Sequence, residues 1–211
     1  KWTPVSNDGL PAGLKLFTTQ DTLNGRAFIA YYVEANLKSK NLEFTTQVGN
    51  GKRFTPSQFY EKEGSPEIVV NGTFFSFATN QNLNVVIREG KVLSYNVPAL
   101  KSRTSDSFYY PTRSAIGITK SRRADIAWLF SDTAQKWPYA FQSRPLVAKG
   151  KTSDPSFVDL NTIDAWKWWK MRTAIGGGPV LLQEGKIHIT NKEEQMFVNG
   201  LADLHPRTAM G

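Results

Sequence analysis

Cysteine is absent from this chain, which excludes disulfides, thiolate metal sites and cysteine nucleophiles. Histidine occurs only at His188 and His205, too few for a multi-histidine zinc site, and no metal or cofactor is expected. No apolar run approaches the roughly 20 residues that a membrane-spanning helix requires, so no span is expected either. Acidic residues are the minority: 18 Asp and Glu against 26 Lys and Arg give a net charge of +8 and a pI near 9.6. Such an excess suits a polyanionic partner. The basic residues are scattered, however, and the one cluster, Lys120-Ser121-Arg122-Arg123, reads as a solvated turn. The charge is therefore permissive rather than diagnostic, and a nucleic-acid binder, supported by net charge alone, ranks third among the readings. No acidic residue stands out as a nucleophile or base, and Asp203 is merely the one nearest a motif. The chain opens on Lys1 with no hydrophobic leader, and so reads as a processed or trimmed chain.

What is present is an ordinary globular composition. At 211 residues, 40% of them hydrophobic, the chain is expected to form one domain with a full core. Residues 1–25, rich in Pro, Gly, Asn, Asp and Thr, read as an irregular lead-in to a domain over 26–211. Ala27–Val33 and the alternating Leu42–Val48 read as strands. Thr55-Pro56-Ser57-Gln58 is a capping box with proline at the first helical position, which starts a short helix ending near Gly64 or Pro66. Ile68–Phe75 reads as a buried strand running through an Asn71-Gly72 turn. Val85–Ile87 with Val92-Leu93, and Arg113–Thr119 with Ala124–Phe130, read as hairpins. Pro145–Lys151 suggests another, and Asn161–Asp164 starts a helix before Trp166, Trp168 and Trp169. The expected fold class is α+β: a single domain rich in β-hairpins around a mixed sheet, with a few short helices.

The chain's most unusual stretch is Ala174-Ile175-Gly176-Gly177-Gly178-Pro179-Val180. Three glycines between apolar runs suit a backbone at positive φ, or an approach too close for a Cβ. Pro179 stiffens the bend. Val180–Leu182 then reads as a buried strand, Glu184-Gly185 as a turn and Ile187–Thr190 as the return.

A faint internal repeat runs through the chain. Glu89-Gly90-Lys91 recurs as Glu184-Gly185-Lys186, and Arg113-Ser114-Ala115-Ile116-Gly117 as Arg207-Thr208-Ala209-Met210-Gly211. The separations from Glu to Arg are 24 (113 − 89) and 23 (207 − 184) positions. Two motifs in order at near-equal spacing outweigh one short match. The second copy ends where the first continues into a hairpin, so the domain is expected to be incomplete at its C-terminal end.

Four stretches together carry a family resemblance: Val70-Asn71-Gly72-Thr73-Phe74-Phe75, Arg113–Gly117, Ala174–Leu182, and His205-Pro206-Arg207-Thr208-Ala209-Met210-Gly211. In this order the chain resembles the phosphodiester glycosidase family over roughly residues 65–211, and many members of that family are secreted bacterial proteins. The resemblance implies a hydrolase cleaving sugar-1-phosphodiesters of the α-N-acetylglucosaminyl type in glycans, at a secreted, periplasmic or cell-surface location. A noncatalytic carbohydrate- or polyanion-binding module on the same fold is the alternative. A departing phosphate monoester, with a second pKa near ~6, leaves more readily than an alcohol. The site's first tasks would be to hold the phosphate and to stabilise an oxocarbenium-like sugar. Arginine forks and backbone N–H groups are suited to this.

On this resemblance Arg113 and Arg207 would grip phosphate and Asn71 would bond a sugar hydroxyl. Gly176, Gly177 and Gly178 would offer backbone donors or admit the sugar closely, with Thr73, Thr208 and His205 as further contacts. The bland readings stand beside these: two structural arginines, a glycine corner, a turn asparagine and a hydrogen-bonded histidine. The tryptophans of 166–169 read as core before they read as sugar platforms.

Overall fold

The computed structural model describes residues 1–6, 8–101, 106, 108–109, 112–131, 136–142, 167–196 and 205–211. Two compact units divide at Phe44 and Thr45. The first holds β1 (Thr3–Pro4), β2 (Leu14–Thr19), β3 (Thr22–Leu23), β4 (Arg26–Ala27) and β5 (Ala30–Ala35). Its main sheet runs β1-β2-β5, with Leu14 opposite Ala35 and Thr19 opposite Ala30. The stretch expected to be irregular thus contains a six-residue strand, β2.

In the second unit, α1 (Pro56–Lys62) starts as the capping box requires. The Gln58 amide donates to Thr55 Oγ1 at 3.2 Å, and the Thr55 amide donates to Gln58 Oε1 at 2.8 Å. This helix buries no residue, so its cap carries much of its local order. Thr55→Ala should cost the helix about 1 kcal/mol, read as faster hydrogen exchange at the Phe59 and Glu63 amides with the global unfolding midpoint barely moved.

The remaining strands are β6 (Val86–Arg88), β7 (Lys91–Ser94), β8 (Leu100–Lys101), β9 (Phe108–Tyr109), β10 (Arg113–Ile118), β11 (Ala124–Phe130), β12 (Tyr139–Phe141), β13 (Lys167–Trp168), β14 (Thr173–Gly176), β15 (Leu182–Gln183) and β16 (Lys186–Ile187). Seven form one sheet in the order β13-β12-β11-β10-β14-β6-β7. Every pair within it is antiparallel, so the expected mixed sheet is corrected to an antiparallel one. Consecutive hairpins account for β6-β7, β10-β11 and β11-β12, and β14 enters between β10 and β6 antiparallel to both. Of the short helices expected, α1 is the only α-helix among the described residues.

Alternation along β10 and β11 sorts the residues between the two faces of the sheet. Ala115, Ala127, Leu129, Ala140, Ala174 and Ile87 lie in one core cluster, joined by Trp169 and Met171. Gly117 makes room for the last two, because a Cβ there would stand 2.6 Å from Met171 Cγ and 2.8 Å from Trp169 Cη2. Ser114 and Trp128 are register partners and point to the opposite face, as do Ile116 and its partner Ile175.

Several other expectations are corrected. Residues 42–48 and 68–71 form no strand; Phe75 makes only an isolated bridge to Asn82, and Val70 is exposed. Lys167-Trp168 is strand rather than helix. Leu182 and Ile187 are exposed, so the hairpin after the triple glycine is not buried. The hairpin expected at 145–151 and the helix start at 161–164 lie outside the described residues. The two Glu-Gly turns do match, with φ of 51° and 76° at Glu89-Gly90 and 51° and 74° at Glu184-Gly185. The likeness stops there, because Arg113 opens β10 whereas Arg207 lies in irregular chain.

Candidate active site

The triple glycine leaves β14 in steps that differ residue by residue. The Gly176 amide donates to Val85 O at 2.7 Å and the Gly177 amide to Ser114 O at 3.0 Å. Both donors are therefore committed to the sheet, which leaves close approach as the role open to those two glycines. At Gly176 a Cβ would stand 2.7 Å from Asn84 Cβ and 2.9 Å from Val85 N, whereas at Gly177 it would meet nothing within 4 Å among the described residues. Gly178 has φ +104° and precedes a cis peptide bond to Pro179. A Cβ there would collide with Glu194 Oε2. One glycine is fixed by packing, one faces open space, and one is fixed by both backbone and neighbour.

Below the bend lies Glu194, fully buried at 0% exposure. Its Oε2 accepts from the Ser114 amide at 3.0 Å and the Ser114 hydroxyl at 2.9 Å. Its Oε1 accepts from Trp128 Nε1 at 3.0 Å, the Val180 amide at 2.9 Å and the Thr190 hydroxyl at 2.6 Å. Five donors thus converge on one carboxyl group, the arrangement a buried acidic side chain requires. A single turn over 191–195 aims it inward: the Glu194 amide donates to Thr190 O at 2.9 Å, and the Met196 amide donates to Asn191 O at 2.7 Å. Arg113, half-buried at the start of β10, donates from Nη1 to the Glu194 carbonyl at 2.8 Å. It therefore clamps the same turn.

The Asn71-Gly72-Thr73 segment joins this group from the other side of β14. Gly72 packs on Ile175 so closely that a Cβ would collide with the isoleucine Cδ1. Thr73 Oγ1 donates to the buried Asn84 Oδ1 at 3.0 Å, and Asn84 borders Gly176. Asn71 itself is exposed. Contacts therefore run unbroken from Thr73 through Asn84, the glycine bend and Ser114 to Glu194 and Arg113.

Three of the four sequence motifs meet here. Of the fourth, His205, Arg207 and Thr208 are exposed in the irregular segment 205–211, where Arg207 Nη1 donates to Pro206 O at 3.3 Å. Asp203 lies outside the described residues. Trp169 is core, and Trp168 is exposed. Sequence reasoning misses Glu194, Ser114, Trp128, Thr190 and Asn84. Glu194 sits beside Glu193 in a polar run that reads as solvated, and nothing local separates the two. Among the described residues no cluster of three or more His, Cys, Asp or Glu is placed to hold a metal.

A family model for phosphodiester glycosidases matches residues 64–211, a span that includes every residue of the contact chain just described. No curated protein and no solved structure matches the chain.

Proposed function

The chain belongs to the phosphodiester glycosidase family, and we propose that it hydrolyses sugar-1-phosphodiester bonds of the α-N-acetylglucosaminyl type in glycans, in a secreted or cell-surface setting. The observation that carries this reading is the meeting of three family-matched segments around one buried carboxylate, beneath a glycine with open space above it. In the reaction the anomeric C–O bond breaks and its electron pair leaves with the phosphate oxygen. Water adds its oxygen to C1 and releases a proton. Because the leaving group is a phosphate monoester, holding the anion matters more than protonating it.

In this reading the sugar lies over Gly177, where a missing side chain admits a ring face, and Asn71 and Thr73 border it. Arg113, whose guanidinium carries five N–H donors, grips the phosphate from the start of β10. Arg207, with Thr208 and His205, supplies the second cationic grip on the phosphate. Glu194 holds the floor: its five donors fix the bend, β10 and the 190–195 turn in one geometry.

Arg207→Ala should lower kcat/KM by roughly a hundredfold to a thousandfold, the loss expected when one donor to a developing anion is removed. Release of free N-acetylglucosamine from its α-linked methyl phosphodiester measures this. Arg207→Lys should recover only part of the loss, because an ammonium cannot make the bidentate fork.

The saturation of Glu194 favours a specific alternative, a noncatalytic carbohydrate- or polyanion-binding module on the same fold. A carboxylate with five donors is a structural anion before it is a proton shuttle. Absence of turnover by the unaltered chain, together with binding of the same phosphodiester, selects that alternative.

A further inference from the structure

A second surface in the same unit has the chemistry of a ligand site. Beyond β13 the chain stays extended and alternates in and out. Trp169 and Met171 fill the core at 4% and 6% exposure, while Trp168 is 43% exposed and Lys170 lies beside it on the surface. These two outward side chains, with Lys136 and Trp137, line an open hollow of about 480 Å³. Lys136 also borders a neighbouring hollow of about 300 Å³, formed with Lys91 and Tyr95. Among the described residues no carboxylate lines either one. Among the described residues no ion pair engages Lys91, Lys136 or Lys170.

The tryptophan is held in place. Its ring stands edge-on to Tyr139, with centroids 5.5 Å apart and planes at 68°, and its backbone is register-paired to the same tyrosine. Lys136 lies 5.8 Å from the Trp137 ring centroid. Rigid aromatic faces interleaved with uncompensated ammonium groups suit a ligand that alternates apolar ring faces with anions.

We infer that this double hollow is a secondary site for a glycan chain bearing repeated phosphodiesters, with sugar rings stacking on Trp168 and phosphates meeting Lys91, Lys136 and Lys170. The inference rests on the sugar-phosphodiester reading of the active site, and it names the substrate class as polymeric rather than a single capped sugar.

Binding, not turnover, is the readout, so a chain that hydrolyses no phosphodiester still tests the secondary site. Calorimetry or tryptophan fluorescence on the whole chain compares three probes: a hexamer of phosphodiester-linked N-acetylglucosamine, a neutral N-acetylglucosamine hexamer, and mixed-sequence single-stranded DNA of matched charge. The phosphodiester hexamer should bind most tightly. Trp168→Ala should weaken it about tenfold, the loss of one aromatic platform, and Trp168→Phe should restore most of that. The double variant Lys136→Ala/Lys170→Ala should flatten the salt dependence of binding, because fewer ammonium groups then meet phosphate. Equal affinity for the neutral hexamer, tighter binding of DNA, or no change in Trp168→Ala would each overturn the assignment.

Discussion

Glu194→Gln should lower the unfolding free energy of the second unit by about 1–3 kcal/mol, a sizeable part of the roughly 5–15 kcal/mol available to a typical domain. The substitution keeps the shape and removes one acceptor. Of the five donors, three cannot reverse: the Ser114 amide, the Val180 amide and Trp128 Nε1. Two of these point at Oε1, so the new carbonyl must sit there and the new NH2 must face Ser114. The Ser114 hydroxyl can rotate to accept. Its backbone N–H cannot, and is left buried without a partner. Guanidinium chloride unfolding with an unchanged slope should report the loss. Ser114→Ala should be costly in the native chain, and its cost should not simply add to that of Glu194→Gln in a double-mutant cycle, since the two act through one network. A fall below about 1 kcal/mol, within the range of ordinary surface substitutions and single neutral bonds, means that the five bonds do not share a common acceptor.

How legible such a feature is depends on whether its cause is local. The Thr55 cap is readable because its donors and acceptors lie within four consecutive residues. The Glu89-Gly90 and Glu184-Gly185 turns are readable because the two-residue loop and its positive φ are set by the residues in it. Ile68–Phe75 misleads for the opposite reason. Its aliphatic run suits a strand, yet Gly72 is packed onto Ile175 and no neighbouring strand pairs with Val69 or Val70. The Trp168–Lys170 segment suggests a helix because clustered tryptophans do not distinguish the two periods, and the core takes every second residue instead. The active-site motifs are legible as strings, but their centre is not. Two of the five donors to Glu194 are backbone amides, which leave no mark in a sequence. The residue they hold differs from Glu193 only through the fold of the 190–195 turn, where Gln195 adopts φ +51°.

The same centre predicts a contrast within the glycine triplet. Gly178→Ala should cost about 3–4 kcal/mol, combining strain at φ +104° with overpacking against a neighbour that cannot retreat. Glu194 Oε2 lies where the new methyl would stand, and Met196 Sδ and Ser114 Oγ are each 3.0 Å from that point. Moving the carboxylate aside would strain all five of its bonds, so the backbone of the bend must yield instead. Gly177→Ala adds the same methyl one residue earlier, where no atom of the described residues lies within 4 Å and φ is not positive. Its effect on stability should stay within about 0.5 kcal/mol, as for an open surface site. If the sugar rests on this bend, however, the methyl occupies the approach itself. Hydrolysis of the methyl phosphodiester should then fall at least tenfold with an unchanged unfolding midpoint, on the order of 1.4 kcal/mol of lost transition-state binding. A stable Gly177→Ala chain with unaltered kcat/KM removes the bend from the substrate's path, and the three glycines then serve only the packing of β14 against Asn84 and Glu194.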